Sequence, residues 1–191
     1  MIGRLNGRLI EKNPTELLIE CGGVGYEVKI SLHTFSALGS EEAVCIFTRL
    51  IVREDAHLLY GFASKEEREM FLHLISVSGI GPNTAMIMLS SMTPDDISHA
   101  ILSEDVASIQ KIKGIGTKTA QRVIIDLKSK VAKMELGSEN IFASNNRNRF
   151  DALTALISLG FDKKATEKVL DKIDTGDHSV EELIKQALRL L

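Results

Sequence analysis

Two short glycine-containing segments, offset by 35 residues, have the residue types needed to hold phosphate groups. They are Gly79-Ile80-Gly81 and Gly114-Ile115-Gly116, and each lies between two segments of helical pattern. Glycine lets the backbone turn tightly and leaves no side chain between the backbone and a ligand. A helix that begins directly behind such a turn points its free N–H groups and its positive dipole end at an anion. The repeat therefore predicts two backbone sites for phosphate.

The side chains that follow the two turns differ in charge. Asn83 follows the first turn, whereas Thr117, Lys118 and Arg122 follow the second. Residues 111–133 contain seven basic residues and one acidic residue, although the whole chain has a net charge of −3. A phosphate backbone responds to the local potential, so the negative total does not exclude nucleic acid as a ligand.

The central isoleucines, Ile80 and Ile115, are predicted to pack between the helices of each turn and to fix its shape. Two other phosphate-binding motifs do not fit. A P-loop needs glycine directly before Lys-Ser/Thr, but Thr117 precedes Lys118 here. A dinucleotide fingerprint needs a strand before its glycines, and here the flanks are helical. We expect no ATP hydrolysis by this chain.

No pattern of catalytic or metal-binding residues is evident. Cys21 and Cys45 stand far apart, which suggests neither a disulfide framework nor a zinc site. The five histidines have no ligand spacing, so we expect no resident metal, no cofactor and no catalytic residue. Carbonyl groups near Gly79 and Gly114 could hold a monovalent cation, which the sequence does not decide. No apolar run spans a bilayer and the N-terminus does not resemble a signal peptide, so we expect a cytoplasmic protein without a membrane contact.

The elements that must position these residues form an α+β multidomain chain. Tyr26, Val28 and Ile30 alternate with exposed-type residues, as in a strand with one buried face. Five such strands and a short helix near Thr34 suit a small closed barrel. Ser64 and Glu67 then have the spacing of a capping box at the start of a helix. We predict a barrel over 1–63, an all-α domain over 64–134, a flexible linker over 135–149 and a three-helix bundle over 150–191.

The two glycine turns resemble the helix-hairpin-helix motif of DNA repair and recombination proteins, and the whole chain resembles the RuvA family. The further motifs are Met1-Ile2-Gly3-Arg4-Leu5, Gly22-Gly23-Val24-Gly25-Tyr26-Glu27-Val28, Val52-Arg53-Glu54-Asp55-Ala56 and Leu59-Tyr60-Gly61-Phe62. Members of that family bind four-way (Holliday) DNA junctions and recruit an ATP-driven AAA+ motor, RuvB, for branch migration in recombination and repair. The resemblance implies an oligonucleotide-binding (OB-type) barrel, a tandem helix-hairpin-helix domain and a motor-binding C-terminal bundle. It also implies a homotetramer or two stacked tetramers, and it leaves room for a junction resolvase as a further partner.

The resemblance assigns roles to several residues. The turn residues Glu54 and Asp55 match an acidic pin that projects at the junction centre. Asn83 stands where the family often has a basic residue, and Thr117 stands where a second lysine can occur. The segment around Gly160 is similar to ubiquitin-associated domains, which expose an apolar patch to partners. Five residues are candidates for that patch or for the core of the bundle, and the sequence does not separate the two: Leu156, Leu159, Phe161, Leu183 and Ala187.

Two competing functions can be stated. A helix-hairpin-helix nuclease or glycosylase would need a metal–carboxylate cluster or a buried nucleophile, and neither is evident. A general duplex-binding module would not prefer junctions over linear DNA. The favoured hypothesis is a non-catalytic, junction-binding subunit whose DNA contacts come from Gly79, Ile80, Gly81, Asn83, Gly114, Ile115, Gly116, Thr117, Lys118 and Arg122.

Overall fold

The computed structural model describes residues 1–39, 41–139, 144–173 and 178–191. The chain divides into two compact units, Met1–Ala132 and Lys133–Leu191. Within the described residues, no helix is long and apolar enough to span a membrane.

The first unit begins with a closed barrel in the strand order β1-β2-β3-β5-β4. Strands β3 and β5 pair in parallel and the other neighbours pair antiparallel. A short helix, α1 (Leu32–Ala37), connects β3 to β4. The strands are β1 (Arg4–Asn13), β2 (Glu16–Cys21), β3 (Val24–Ile30), β4 (Ala43–Val52) and β5 (His57–Phe62). The predicted barrel is confirmed.

The barrel core follows the predicted alternation. Val28 and Ile30 are buried, Tyr26 is half-buried and packs against the same cluster, and the residues between them are exposed. Closing the sheet removes exposed strand edges and directs one face of every strand inward. The alternate apolar residues of β3 therefore face the interior of the barrel.

Five helices follow the barrel within this unit. They are α2 (Lys65–Ile75), α3 (Pro82–Ser91), α4 (Pro94–Leu102), α5 (Val106–Gln110) and α6 (Thr117–Glu139), the last of which continues past the unit. Tyr60 and Phe62 of β5 pack against Phe71 of α2, with ring centroids 5.2 and 4.9 Å apart. These two aromatic residues of β5 belong to the apolar core of the helices, whereas the interior of the barrel forms a core of its own.

A buried carboxyl group also connects the barrel to α2. The capping prediction holds in one half: the Ser64 hydroxyl accepts a hydrogen bond from the Glu67 amide at 3.1 Å. The reciprocal half is wrong, because the Glu67 side chain turns towards the barrel and is fully buried. There it accepts hydrogen bonds from the Ser31 hydroxyl, from the Thr34 hydroxyl at 2.6 Å and from the Ala63 amide at 3.3 Å. A buried polar group of this kind is stable only when it is fully bonded.

We expect Glu67→Ala to lower the free energy of unfolding by about 2–4 kcal/mol, because buried donors lose their shared acceptor. Chemical denaturation followed by circular dichroism measures the change. Glu69→Ala is the matched control: Glu69 is exposed on the same helix, and we expect a change within about 0.5 kcal/mol. Equal stability of the two variants would show that the buried contacts contribute nothing.

The second unit contains the helices α7 (Ser144–Ser158), α8 (Lys163–Ile173) and α9 (Val180–Ala187). Their shared core confirms the predicted C-terminal helical bundle. The flexible linker over 135–149 stays a prediction; α6 extends to Glu139 and α7 begins at Ser144, so helical residues occupy both ends of this range. Residues 140–143 lie outside the described residues. α6 continues through Gly137 because each residue added to an existing helix gains a backbone hydrogen bond, whereas a single glycine within the helix costs only about 1 kcal/mol.

Candidate nucleic-acid interface

The two glycine turns have the same hydrogen-bond geometry in the structure. The Ile80 amide donates to the Val77 carbonyl at 3.0 Å, and 35 residues later the Ile115 amide donates to the Ile112 carbonyl at 3.1 Å. The helix behind each turn closes in the same way, with bonds of 3.0 and 2.9 Å to the Gly81 and Gly116 carbonyls. The internal repeat of the sequence is therefore a structural repeat of two helical hairpins.

The two glycines of each hairpin differ in backbone conformation and surroundings. Gly79 and Gly114 have φ angles of 94° and 91°, a left-handed conformation that favours glycine. Gly81 has an ordinary extended conformation and is the N-cap of α3. A Cβ atom added at Gly81 or Gly116 would meet no protein atom within 4 Å. The second glycine of each pair thus leaves open space on the exposed side of the hairpin.

The central isoleucines hold the hairpins together. Ile80 and Ile115 are each 5% exposed and belong to the core of the first unit. Their neighbours in both turns are exposed glycines. The predicted packing of the isoleucines is confirmed, and these two side chains are therefore unavailable for direct contact with a ligand.

The second hairpin carries exposed positive charge. Thr117, Lys118 and Arg122 are all exposed at the start of α6, and Lys118 and Arg122 line the same shallow depression. Some of the basic residues in the segment 111–133 form contacts within the protein. Lys128 forms an ion pair with Glu104, and this contact lowers the pKa of that carboxyl group. Lys111 and Lys113 before the turn are exposed as well, so basic side chains lie on both sides of the second hairpin.

The first hairpin has a different chemistry. Asn83 lies exposed in the first turn of α3, and its Oδ1 accepts a hydrogen bond from the Tyr60 hydroxyl at 3.3 Å. Reasoning from the sequence missed Tyr60 as part of this site. The sequence gives Tyr60 only as part of the Leu59-Tyr60-Gly61-Phe62 motif, and it gives no sign of a contact with α3.

The acidic tip is the turn between β4 and β5. A hydrogen bond of 2.8 Å from the Arg53 amide to the Ala56 carbonyl closes the turn. Glu54 and Asp55 are both exposed at its end, and neither forms an ion pair within the part of the chain that the structure describes. Two carboxylates in water create a local negative potential. The exposed turn gives them no desolvated environment of the kind that tunes a general acid or base.

The five candidate patch residues of the second unit differ in burial. Leu156, Leu183 and Ala187 are fully buried in its core, which corrects their assignment as partner-binding residues. Phe161 is half-buried against that core, and only Leu159, 63% exposed, is free to contact a partner. The sequence missed other exposed apolar side chains of this unit: Ile157, Leu188, Leu190 and Leu191.

No group of three or more metal-ligating side chains occurs among the described residues. Both cysteines, Cys21 and Cys45, are free.

Comparisons with known proteins cover the full chain. A family model described as the RuvA N-terminal domain matches residues 1–61, a SAM-like helix-hairpin-helix tandem matches 71–129, and the RuvA C-terminal domain matches 148–191. The chain is 55% identical over 194 residues to the Holliday junction branch migration complex subunit RuvA of Christiangramia forsetii. It is 54% and 50% identical to the proteins of that name from Flavobacterium psychrophilum and Cytophaga hutchinsonii. Each similarity spans 100% of both chains.

Proposed function

Because the chain belongs to the RuvA family, we propose that it binds four-way DNA junctions as a subunit of a branch migration complex. The observation that carries the proposal is the pair of helical hairpins with equal backbone geometry, on a chain that is similar over its full length to subunits of that name. A protein that acts on bacterial DNA works in the cytoplasm, and this is the location that we propose.

The hairpins would grip the DNA backbone and not the bases. Phosphate oxygens accept hydrogen bonds from the free amides at the starts of α3 and α6, and the helix dipoles favour the negative charge there. Open space beside Gly81 and Gly116 lets the phosphate approach the backbone. Contacts of this type position the protein on DNA without reading sequence.

The acidic tip would act by repulsion. Glu54 and Asp55 are exposed and carry no compensating ion pair among the described residues. Placed at a crossover, their carboxylates repel phosphates and disfavour a continuous duplex across the centre. The hairpins attract the arms at the same time, so the two features together select an open junction.

The chain would supply no chemistry itself. We propose a homotetramer, or two stacked tetramers, in which each subunit holds one arm and the C-terminal bundle recruits an ATP-driven RuvB-type motor. A junction resolvase is a further proposed partner. The exposed Leu159 and the separate core of the bundle support a role in protein binding.

The decisive experiment compares the affinity for a four-way junction with that for a linear duplex of the same arm sequence. We expect strong preference for the junction. Equal affinities would indicate a general duplex-binding module instead. The same mixtures, incubated with Mg²⁺ and ATP, test for an enzyme, since a catalytic protein would cleave the labelled DNA or release phosphate.

Replacing both Glu54 and Asp55 with Asn should preserve or tighten DNA binding and reduce the preference for junction over duplex. Removing two carboxylates abolishes the penalty against duplex at the centre while the exposed turn keeps its shape. Competition binding with both DNA forms measures the ratio of affinities. Weaker binding to all DNA would contradict the repulsive role and would indicate that the tip is structural.

A further inference from the structure

The two hairpins of this chain offer a phosphate unequal sets of donors. In the second hairpin, the residue after the glycine is Thr117, which has a backbone amide, and Lys118 follows with a positive charge. In the first hairpin the equivalent residues are Pro82, which has no backbone N–H, and the neutral Asn83. The first hairpin therefore lacks both one backbone donor and one cation that its repeat possesses.

The contact between Tyr60 and Asn83 bears directly on this difference. Tyr60 is fully buried and its ring packs against Phe71, so the phenol has a fixed position. Burial raises the pKa of Tyr60, which keeps the hydroxyl protonated and able to donate. The recipient is Oδ1 of Asn83, at 3.3 Å.

Occupation of Oδ1 determines what Asn83 presents to solvent. An asparagine side chain has one carbonyl acceptor and one NH₂ group with two donors. With the carbonyl held by Tyr60, the NH₂ group remains free at the exposed start of α3, and no group of the described residues accepts from it. An oriented amide donor thus lies two residues after Gly81, in the hairpin that lacks a backbone N–H at Pro82 and has no lysine at position 83.

We propose that Tyr60 is a positioning residue that orients the Asn83 amide to donate to a DNA phosphate at the first hairpin. This inference rests on the proposed function and assigns different physics to the two hairpins. The first holds its phosphate through neutral, directed donors, whereas the second holds its phosphate through donors and charge. Because Tyr60 lies on β5, directly after the acidic tip, the barrel itself orients this contact.

Tyr60→Phe tests the proposal, since it removes one hydroxyl and keeps the buried ring. We expect about two- to tenfold weaker junction binding, the usual worth of a hydrogen bond, with the melting temperature measured alongside. The slope of log affinity against log salt should not change, because the substitution removes no charge. Tyr26→Phe is the matched control, because Tyr26 is half-buried on β3 and forms no side-chain hydrogen bond with α3 among the described residues. Equal affinity of the Tyr60→Phe and Tyr26→Phe variants would overturn the proposal.

Variants at Asn83 separate positioning from general structural support. In an Asn83→Ala background, Tyr60→Phe should weaken binding no further, because the residue through which it acts is gone. Asn83→Lys should bind the junction more tightly than Asn83→Ala, because lysine supplies a new donor and a positive charge. Lysine has no acceptor for the Tyr60 hydroxyl, so adding Tyr60→Phe to this variant should not change its affinity. The slope of log affinity against log salt should become steeper by about 0.9, because one more phosphate is neutralised. An undiminished effect of Tyr60→Phe in either background would show that Tyr60 acts through the fold alone.

The failure of this inference is distinguishable from failure of the proposed function. Junction preference in the unmodified protein, and weaker junction binding when Gly116 is substituted, report on the proposed function alone. If those results hold and the Tyr60 variants bind normally, only the positioning role of Tyr60 is wrong.

Discussion

Gly81→Val or Gly116→Val is expected to weaken junction binding by about 10- to 100-fold, whatever the sequence of the DNA arms. A Cβ atom at either position meets no protein atom within 4 Å, so the new side chain fills only the open space where we propose that a phosphate binds. Gly81 has φ −89° and ψ 171°, which valine adopts readily. The fold should therefore survive, and the loss of affinity should report on the ligand.

Gly3→Val is the matched control for this prediction. Gly3 also has open space around its Cα, and it lies at the start of the barrel, away from both hairpins. Gly79 and Gly114 are unsuitable for the test, because their positive φ angles make any substitution strained. Binding is measured by fluorescence anisotropy and folding by circular dichroism. Unchanged affinity in both folded valine variants would show that the hairpins do not hold the DNA.

The salt dependence of junction affinity distinguishes contacts made by backbone amides from contacts made by charged side chains. Lys118→Ala should flatten the slope of log affinity against log salt by about 0.9 for each phosphate that the lysine neutralises. The valine variants should bind weakly with a nearly unchanged slope, because they remove no cation. Equal slopes for Lys118→Ala and the unmodified protein would place Lys118 outside the DNA-binding surface.

A variant that ends at Ala132 should lose motor-driven branch migration entirely while it binds the junction with nearly unchanged affinity. The hairpins and the acidic tip lie in the unit Met1–Ala132, whereas the C-terminal bundle has its own core. A tethered bundle raises the local concentration of a bound motor, and this advantage disappears on truncation. Strand exchange on a labelled junction, with ATP and a RuvB-type motor supplied, measures the effect. Full migration by the truncated protein would locate motor recruitment on the first unit.

Leu159→Ser tests the same proposal without truncation. Leu159 is 63% exposed, so its replacement should leave the bundle folded and reduce motor binding. Ile10→Ser is a matched control, since Ile10 is 43% exposed on the barrel. Equal motor affinity of the two variants would remove Leu159 from the contact surface.

Local patterns explain why much of the architecture was predictable. The inward and outward faces of β3 agree with the period-two alternation, because that alternation is set by neighbours along one strand. The hairpins were predictable for a similar reason. A positive φ at Gly79 and at Gly114 is a property of each glycine and its turn, and the repeat shows the pattern twice.

What the sequence by itself determined is the set of elements, the two hairpins and the acidic tip, since each depends on residues close together in the chain. Only the tertiary structure decided which partners those elements offer one another. Glu67 meets Ser31 across 36 residues of sequence, and Tyr60 meets Asn83 across 23. Leu156 lies within α7 and is buried, whereas Leu159 follows the end of that helix at Ser158 and is exposed. The apolar pattern of the sequence marks both leucines as candidates for the core, but only the packing of the three helices determines which of them the core includes.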